Sequence, residues 1–180
     1  MKLLAQQPRV YLAGPGVFRL DANEFGVLLK QKCERAGLVG CFPLVSDIEG
    51  RTPREKAVFI YRANVDLINS AMAIIADLSP FRGPNMDPGT AWEIGYAIAK
   101  GLPVFAWSTG SELLRARTQA YVGTHTIEGR GVDDKGWAIE DFDLVDNLMI
   151  AVPCDVIHKN ADEAIAACAN ALKKGKHRKP

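Results

Sequence analysis

No stretch of this sequence approaches the ~18 consecutive apolar residues of a membrane span. The N-terminal Met1-Lys2-Leu3-Leu4-Ala5-Gln6 is too poor in apolar residues for a signal peptide. Charge of one sign is also missing: 22 basic residues face 21 acidic ones, a formal net charge of +1. No global field therefore points to nucleic acid or a membrane surface. The four cysteines, Cys33, Cys41, Cys154 and Cys168, form no C-x-x-C pair and lie in apolar stretches. They read as reduced core residues of a cytosolic protein, not as disulfides or zinc ligands. His125, His158 and His177 lack metal spacing. Neither G-x-x-x-x-G-K-[ST] nor G-x-G-x-x-G occurs, so no standard phosphate loop is present.

What is present is an alternation of short apolar runs with helical patterns, in a chain of 180 residues, the size of one domain with a real core. Val10–Ala13 reads as a strand that breaks into Gly14-Pro15-Gly16. Asp21-Ala22-Asn23-Glu24 fits a capping box and opens a helix to about Ala36. Leu38–Leu44 suits a second strand, and Pro53 to about Ser70 a helix. Met72–Ala76 is a continuous apolar run of buried-strand type, closed by Asp77. A loop over Leu78–Pro88 feeds a helix that stops at Gly101, and Pro103–Trp107 is a fourth strand. Ser111 to about Arg117 starts another helix, residues 121–141 are irregular, Leu148–Val152 reads as a fifth strand, and Ala161–Lys174 closes the chain as a helix. The basic run Lys173–Lys179 reads as a mobile tail. The fold expected is α/β: a flavodoxin-like, Rossmann-like doubly wound sheet of about five parallel strands flanked by helices. Such sheets bind ligands at the carboxyl ends of their strands.

The polar residues collect at those ends. Gly14 and the loop to Phe18 follow strand one, Ser46-Asp47 strand two, and Asp77 and the Asp87–Glu93 segment strand three. Only Arg19 and Arg82 bring positive charge there, which points to a neutral sugar or nucleoside and not a phosphate ester. Glu93 is expected in the first turn of a helix, where the dipole favours the anion a carboxylate nucleophile must be. The competing reading is a capping box, Thr90-Ala91-Trp92-Glu93, with Glu93 bonded back to the backbone. Asp66 lies near a helix C-terminus among apolar neighbours, and both effects disfavour its charged form. Two carboxyls pushed in opposite directions suit a nucleophile and an acid; a helix-end Asp facing water is the alternative for Asp66. Tyr11 on strand one either orients Glu93 through its hydroxyl or simply packs. Asp77 either binds the ligand or caps the next turn.

Four segments resemble the nucleoside 2-deoxyribosyltransferases in order: Tyr11-Leu12-Ala13-Gly14-Pro15, Asn64-Val65-Asp66-Leu67-Ile68, Asp87-Pro-Gly-Thr-Ala-Trp-Glu93-Ile-Gly-Tyr-Ala and Asp146-Asn147-Leu148-Met149. The third is the most specific. The resemblance, from about residue 9 to 152, implies exchange of the base on a 2′-deoxyribonucleoside by double displacement. It makes Glu93 the nucleophile at C1′, Asp66 the acid and base for the departing and incoming bases, and Tyr11 the holder of Glu93. Asp87 would bind sugar hydroxyls, with Gly14, Phe18, Asp47 and Asp77 lining the substrate. Asn147 and Met149, at the start of the fifth strand, match positions donated to a neighbouring subunit, so a homo-oligomer is implied. The partners expected are a deoxyribonucleoside and a free nucleobase, with no nucleic acid, membrane, metal or cofactor. Asp47 stands where some pyrimidine-accepting members carry Gln, which leaves base choice open. Rival readings are a 2′-deoxynucleoside 5′-monophosphate N-glycosidase, a phosphoribohydrolase, and a non-catalytic sensing or scaffold domain. The first needs Ser and Arg on the first loop, which Gly14-Pro15-Gly16-Val17-Phe18 does not supply. The second needs a Gly-Gly-x-Gly-Thr motif of which Pro88-Gly-Thr keeps one glycine.

Overall fold

The computed structural model describes residues 7–45, 49–154 and 156–175. Asp47 and most of the basic tail fall outside them. Strand β1 (Arg9–Ala13) leads through a single 3-10 turn, Pro15–Phe18, into α1 (Ala22–Arg35) and β2 (Val39–Cys41). Helix α2 (Pro53–Asn69), β3 (Ala73–Asp77), α3 (Pro88–Ala99) and β4 (Val104–Trp107) follow. The remainder is α4 (Leu114–Val122), the hairpin β5 (His125–Ile127) and β6 (Arg130–Val132), α5 (Leu148–Cys154), β7 (Ile157–His158) and α6 (Ala161–Lys173).

Five strands form one parallel sheet in the order β2-β1-β3-β4-β7. Both faces are covered, which is why the strands are apolar throughout instead of alternating. Val10, Leu12, Ala73 and Ile75 pack against Leu29 and Cys33 of α1 and Ile165 and Cys168 of α6. Tyr11, Ala13, Ile74 and Ala76 point the other way, onto Ile68 of α2, Ile94 and Ala97 of α3, and Cys154 of α5. The chain leaves β1 for β2 on one side and returns to β3 on the other. The strand order therefore reverses between β1 and β3, where doubly wound sheets open their ligand crevice.

Three local expectations are corrected. Residues 148–152 are helical, and the fifth strand of the sheet is the two-residue Ile157–His158, paired with Ala106–Trp107. The reason lies in capping: Glu140 accepts from the Leu148 amide at 2.7 Å and Asn147 from the Met149 amide at 3.0 Å, satisfying donors a helix start leaves free. At α1, Asp21 makes no capping bond, because both its oxygens take the Arg19 guanidinium at 2.7 and 2.9 Å. The capping box forms instead at α2, where Thr52 and Glu55 bond reciprocally. The region read as irregular contains the β5–β6 hairpin. Its turn residues Glu128 and Gly129 both have positive φ, 50° and 81°, as a two-residue hairpin turn of the primed type requires.

Candidate active site

Tyr11, at the middle of β1, is fully buried, and its hydroxyl donates to Glu93 Oε1 at 2.5 Å. Asp87 caps α3: its Oδ2 accepts from the Thr90 amide at 2.8 Å and the Thr90 hydroxyl at 2.9 Å, with Pro88 at the first helical position. Glu93 is therefore in the second turn of α3, not the first, and the Thr90–Glu93 capping box does not form. Its carboxyl is a tertiary contact, half-buried against β1.

That placement changes its electrostatics. The helix dipole weakens beyond the first turn, and burial governs instead. Loss of water pushes the Glu93 carboxyl up to about 7, the Tyr11 hydrogen bond pulls it down, and the nearby Asp87 charge pushes it up again. The Tyr11 phenol is also raised, first by burial, then by the Glu93 charge and hydrogen bond. Tyr11 stays a proton donor, and Glu93 titrates near neutrality instead of being held ionised.

Asp66 lies in the last turn of α2 and is exposed, so the enclosure expected from its apolar neighbours is not formed within this chain. No hydrogen bond or ion pair joins it to Glu93 among the described residues. The two helices do meet beside it, where the Tyr96 hydroxyl donates to Asn69 at 3.0 Å and Tyr61 lies 5.6 Å from Trp92.

Gly14 and Asp77 touch at the ends of β1 and β3. Gly14 has φ 153°, and a Cβ there would sit 2.7 Å from the Asp77 Cβ, so only glycine lets the first loop lie this close. Asp77 accepts from the Ser79 amide at 2.9 Å, which is the turn-capping arrangement. Burial raises its carboxyl and the Ser79 bonds oppose that. By strand alternation it follows Ala73 and Ile75 toward α1 and α6, on the face opposite Tyr11. Phe18 ends the 3-10 turn half-exposed, stacked on Phe81 at 5.3 Å, with the Arg82 guanidinium over both rings.

Asn147 and Met149 stand at the start of α5, away from Tyr11 and Glu93 in the chain. The Asn147 amide donates to Glu140 at 2.6 Å, and Met149 is 70% exposed, so it is available to something outside this chain. Two residues gave no sign of themselves in the sequence. Glu140 holds Asn147 and the α5 start, and Arg117 is a buried cation among backbone carbonyls. Glu140 bonds across seven and eight residues, and two of the three carbonyls on Arg117 lie 33 and 28 residues away, spacings with no recognisable local pattern. The buried thiols of Cys33, Cys154 and Cys168 are each pushed up to about 12 by loss of water, which makes them inert core residues. Among the described residues no helix is long and apolar enough to cross a membrane.

Comparison with known proteins bears on this geometry. The family model for nucleoside 2-deoxyribosyltransferases matches residues 10–149. An uncharacterised protein of Schizosaccharomyces pombe is 36% identical over 118 residues, 63% of this chain. The match spans 56% of that curated relative's own length. The 2-desoxiribosyltransferase from Leishmania mexicana superposes with a TM-score of 0.70 at 28% identity, covering 91% of this chain and 97% of that one. A conserved protein from Enterococcus faecalis shares the fold, with a TM-score of 0.55 at 17% identity over 94% of this chain and 99% of that one.

Proposed function

Because the chain belongs to the nucleoside 2-deoxyribosyltransferase family, we propose that it exchanges the base of a 2′-deoxyribonucleoside for a free purine or pyrimidine through a covalent deoxyribosyl–Glu93 intermediate. The observation that carries this reading is the Tyr11–Glu93 contact: a half-buried carboxylate, held by one oxygen at the β1–β3 crevice. Tyr11 occupies Oε1, and Oε2 attacks C1′ as the glycosidic bond breaks. Asp66 gives its proton to the departing base, then takes one from the incoming base as C1′ transfers to it and the Glu93 ester is released. Two carboxyls acting in turn make this the retaining form of glycosidic chemistry, with a second base in place of water. Asp87 contributes to sugar binding, and Gly14 and Phe18 line the substrate.

The exposure of Asp66 fits a site completed by a second subunit. In this reading the active unit is a homo-oligomer, and Asn147 and Met149 of each subunit enter the neighbour's site. Covering Asp66 would then supply the desolvation that a proton donor needs. The reaction belongs to nucleotide salvage.

The test incubates the protein with a deoxynucleoside, with and without a second free base, and follows both bases. Formation of the new deoxynucleoside supports exchange. Base release indifferent to the second base makes the protein a hydrolase, and absence of both reactions removes the enzymatic reading.

A further inference from the structure

Arg117 of α4 is buried, 9% exposed, and has no part in the chemistry proposed above. Its guanidinium reaches three separate segments. Nε donates to the Pro84 carbonyl at 2.9 Å, Nη1 to the Glu112 carbonyl and Nη2 to the Val145 carbonyl, both at 2.5 Å. Nη2 also lies 3.7 Å from Oδ2 of Asp146, itself 2% exposed. Among the described residues that oxygen has no hydrogen-bond partner, while Oδ1 accepts from the Asn147 amide at 2.8 Å.

A buried pair at this separation is a poor source of stability, because desolvation opposes the attraction. Apolar side chains would fill the space as well, but they could not hold carbonyls. A rigid fork of donors can fix several backbone segments at once. The segments fixed here are informative. Pro84 leads into Asp87, the cap of the helix that carries Glu93. Val145 and Asp146 lead into Asn147 and Met149, and Glu140 fixes the same turn through the Asn147 side chain.

We propose that Arg117 is a positioning residue that locks the 84–87 loop to the 145–149 turn, so that one guanidinium keeps parts of two active sites in register. The inference rests on the shared-site reading above: the loop serves the subunit's own site and the turn serves its neighbour's. Arg117→Lys keeps the charge and loses the fork. The variant remains folded by circular dichroism and loses at least about tenfold in kcat, since small misplacements of reacting groups are costly. Asp146→Asn, closer to isosteric, gives the same pattern with a smaller loss.

Mixing with wild-type subunits separates positioning from general weakening. In a dimer of wild type and Arg117→Lys both sites are impaired, one through the loop and one through the turn. An equal mixture, once subunits have exchanged, then falls clearly below half of wild-type activity, towards the quarter that wholly wild-type dimers supply as each single defect becomes more severe. Mixtures of wild type with Glu93→Ala or Asn147→Ala keep one good site per mixed dimer and stay near about half. An Arg117→Lys mixture that stays near half overturns the inference, provided Glu93→Ala and Asn147→Ala complement each other. Absence of that complementation overturns the shared site instead. Hydrogen exchange tests the coupling independently of activity: amides in 84–90 and 145–150 should both exchange faster in Arg117→Lys. Loosening of only one segment, or of neither, refutes the coupling.

Discussion

The Tyr11 hydroxyl meets Glu93 Oε1 at 2.5 Å across 82 residues of sequence, joining β1 to α3 beside the sheet's switch point. Burial raises the Glu93 carboxyl to about 7, and this hydrogen bond is the main influence opposing it. If the anion attacks, activity falls as pH drops through about 7. Tyr11→Phe removes a donor that favours the anion, so the acid limb of the pH–rate profile moves to higher pH. A hydrogen bond to a charged group contributes about 1.5–3 kcal/mol, so the loss at neutral pH should be roughly ten- to a hundredfold. A profile with an unmoved acid limb would show that Tyr11 only packs.

Glu93→Ala should abolish exchange and leave the fold intact. Loss of a nucleophile costs roughly four or more decades in rate, although such values are not additive shares. Exchange within tenfold of the parent, in protein free of contaminating activity, would exclude Glu93 as nucleophile.

The same carboxyl predicts a stability effect. In the fold it ionises near 7, against 4.5 ordinarily. Between those values the unfolded chain releases a proton that the folded chain keeps, so stability falls as pH rises through the window. Below about 4.5 both states are protonated and the deficit vanishes. Glu93→Gln should therefore melt like the parent at pH 4 and above it at pH 8. An equal difference in Tm at both pH values would contradict the raised carboxyl.

Much of this arrangement is legible in the chain. The β1 and β3 runs, the Gly14 break and the Asp87–Tyr96 motif locate the switch point and the candidate nucleophile. Residues 148–152 read as a strand because a short apolar run looks the same in a buried strand and a half-buried helix. What decides between them is the capping by Asn147 and Glu140, the latter eight residues away from the Leu148 amide it caps. The exposure of Asp66 escapes the sequence for a related reason: apolar neighbours in sequence lie on other sides of a helix and need not enclose it. Arg117 leaves no trace, since two of its three carbonyl partners, Pro84 and Val145, are 33 and 28 residues distant.

Asp66→Asn tests the proton donor. Asn keeps the shape but cannot supply a carboxyl proton. The loss should be largest for ordinary deoxynucleosides and small for one bearing an activated leaving group that departs without protonation. Equal losses for both substrates would assign Asp66 a structural role.

The assembly prediction follows from where α5 lies. Met149 is 70% exposed, and Asn147 is held by Glu140 at the helix start, so neither is committed to its own Glu93 by any described contact. If both cross to a neighbour, the active unit is at least a symmetric dimer with an isologous interface completing two sites together. Glu93→Ala and Asn147→Ala, each inactive alone, should then complement when subunits exchange. Each mixed dimer carries one site with both wild-type residues and one with neither, so recovery should approach about a quarter of wild-type activity: half the dimers are mixed, and half their sites are whole. Recovered exchange activity is measured after mass spectrometry of differently tagged subunits confirms mixing. Full activity from a monomer in sizing experiments, or no recovery from a verified mixture, would confine Asn147 to capping α5.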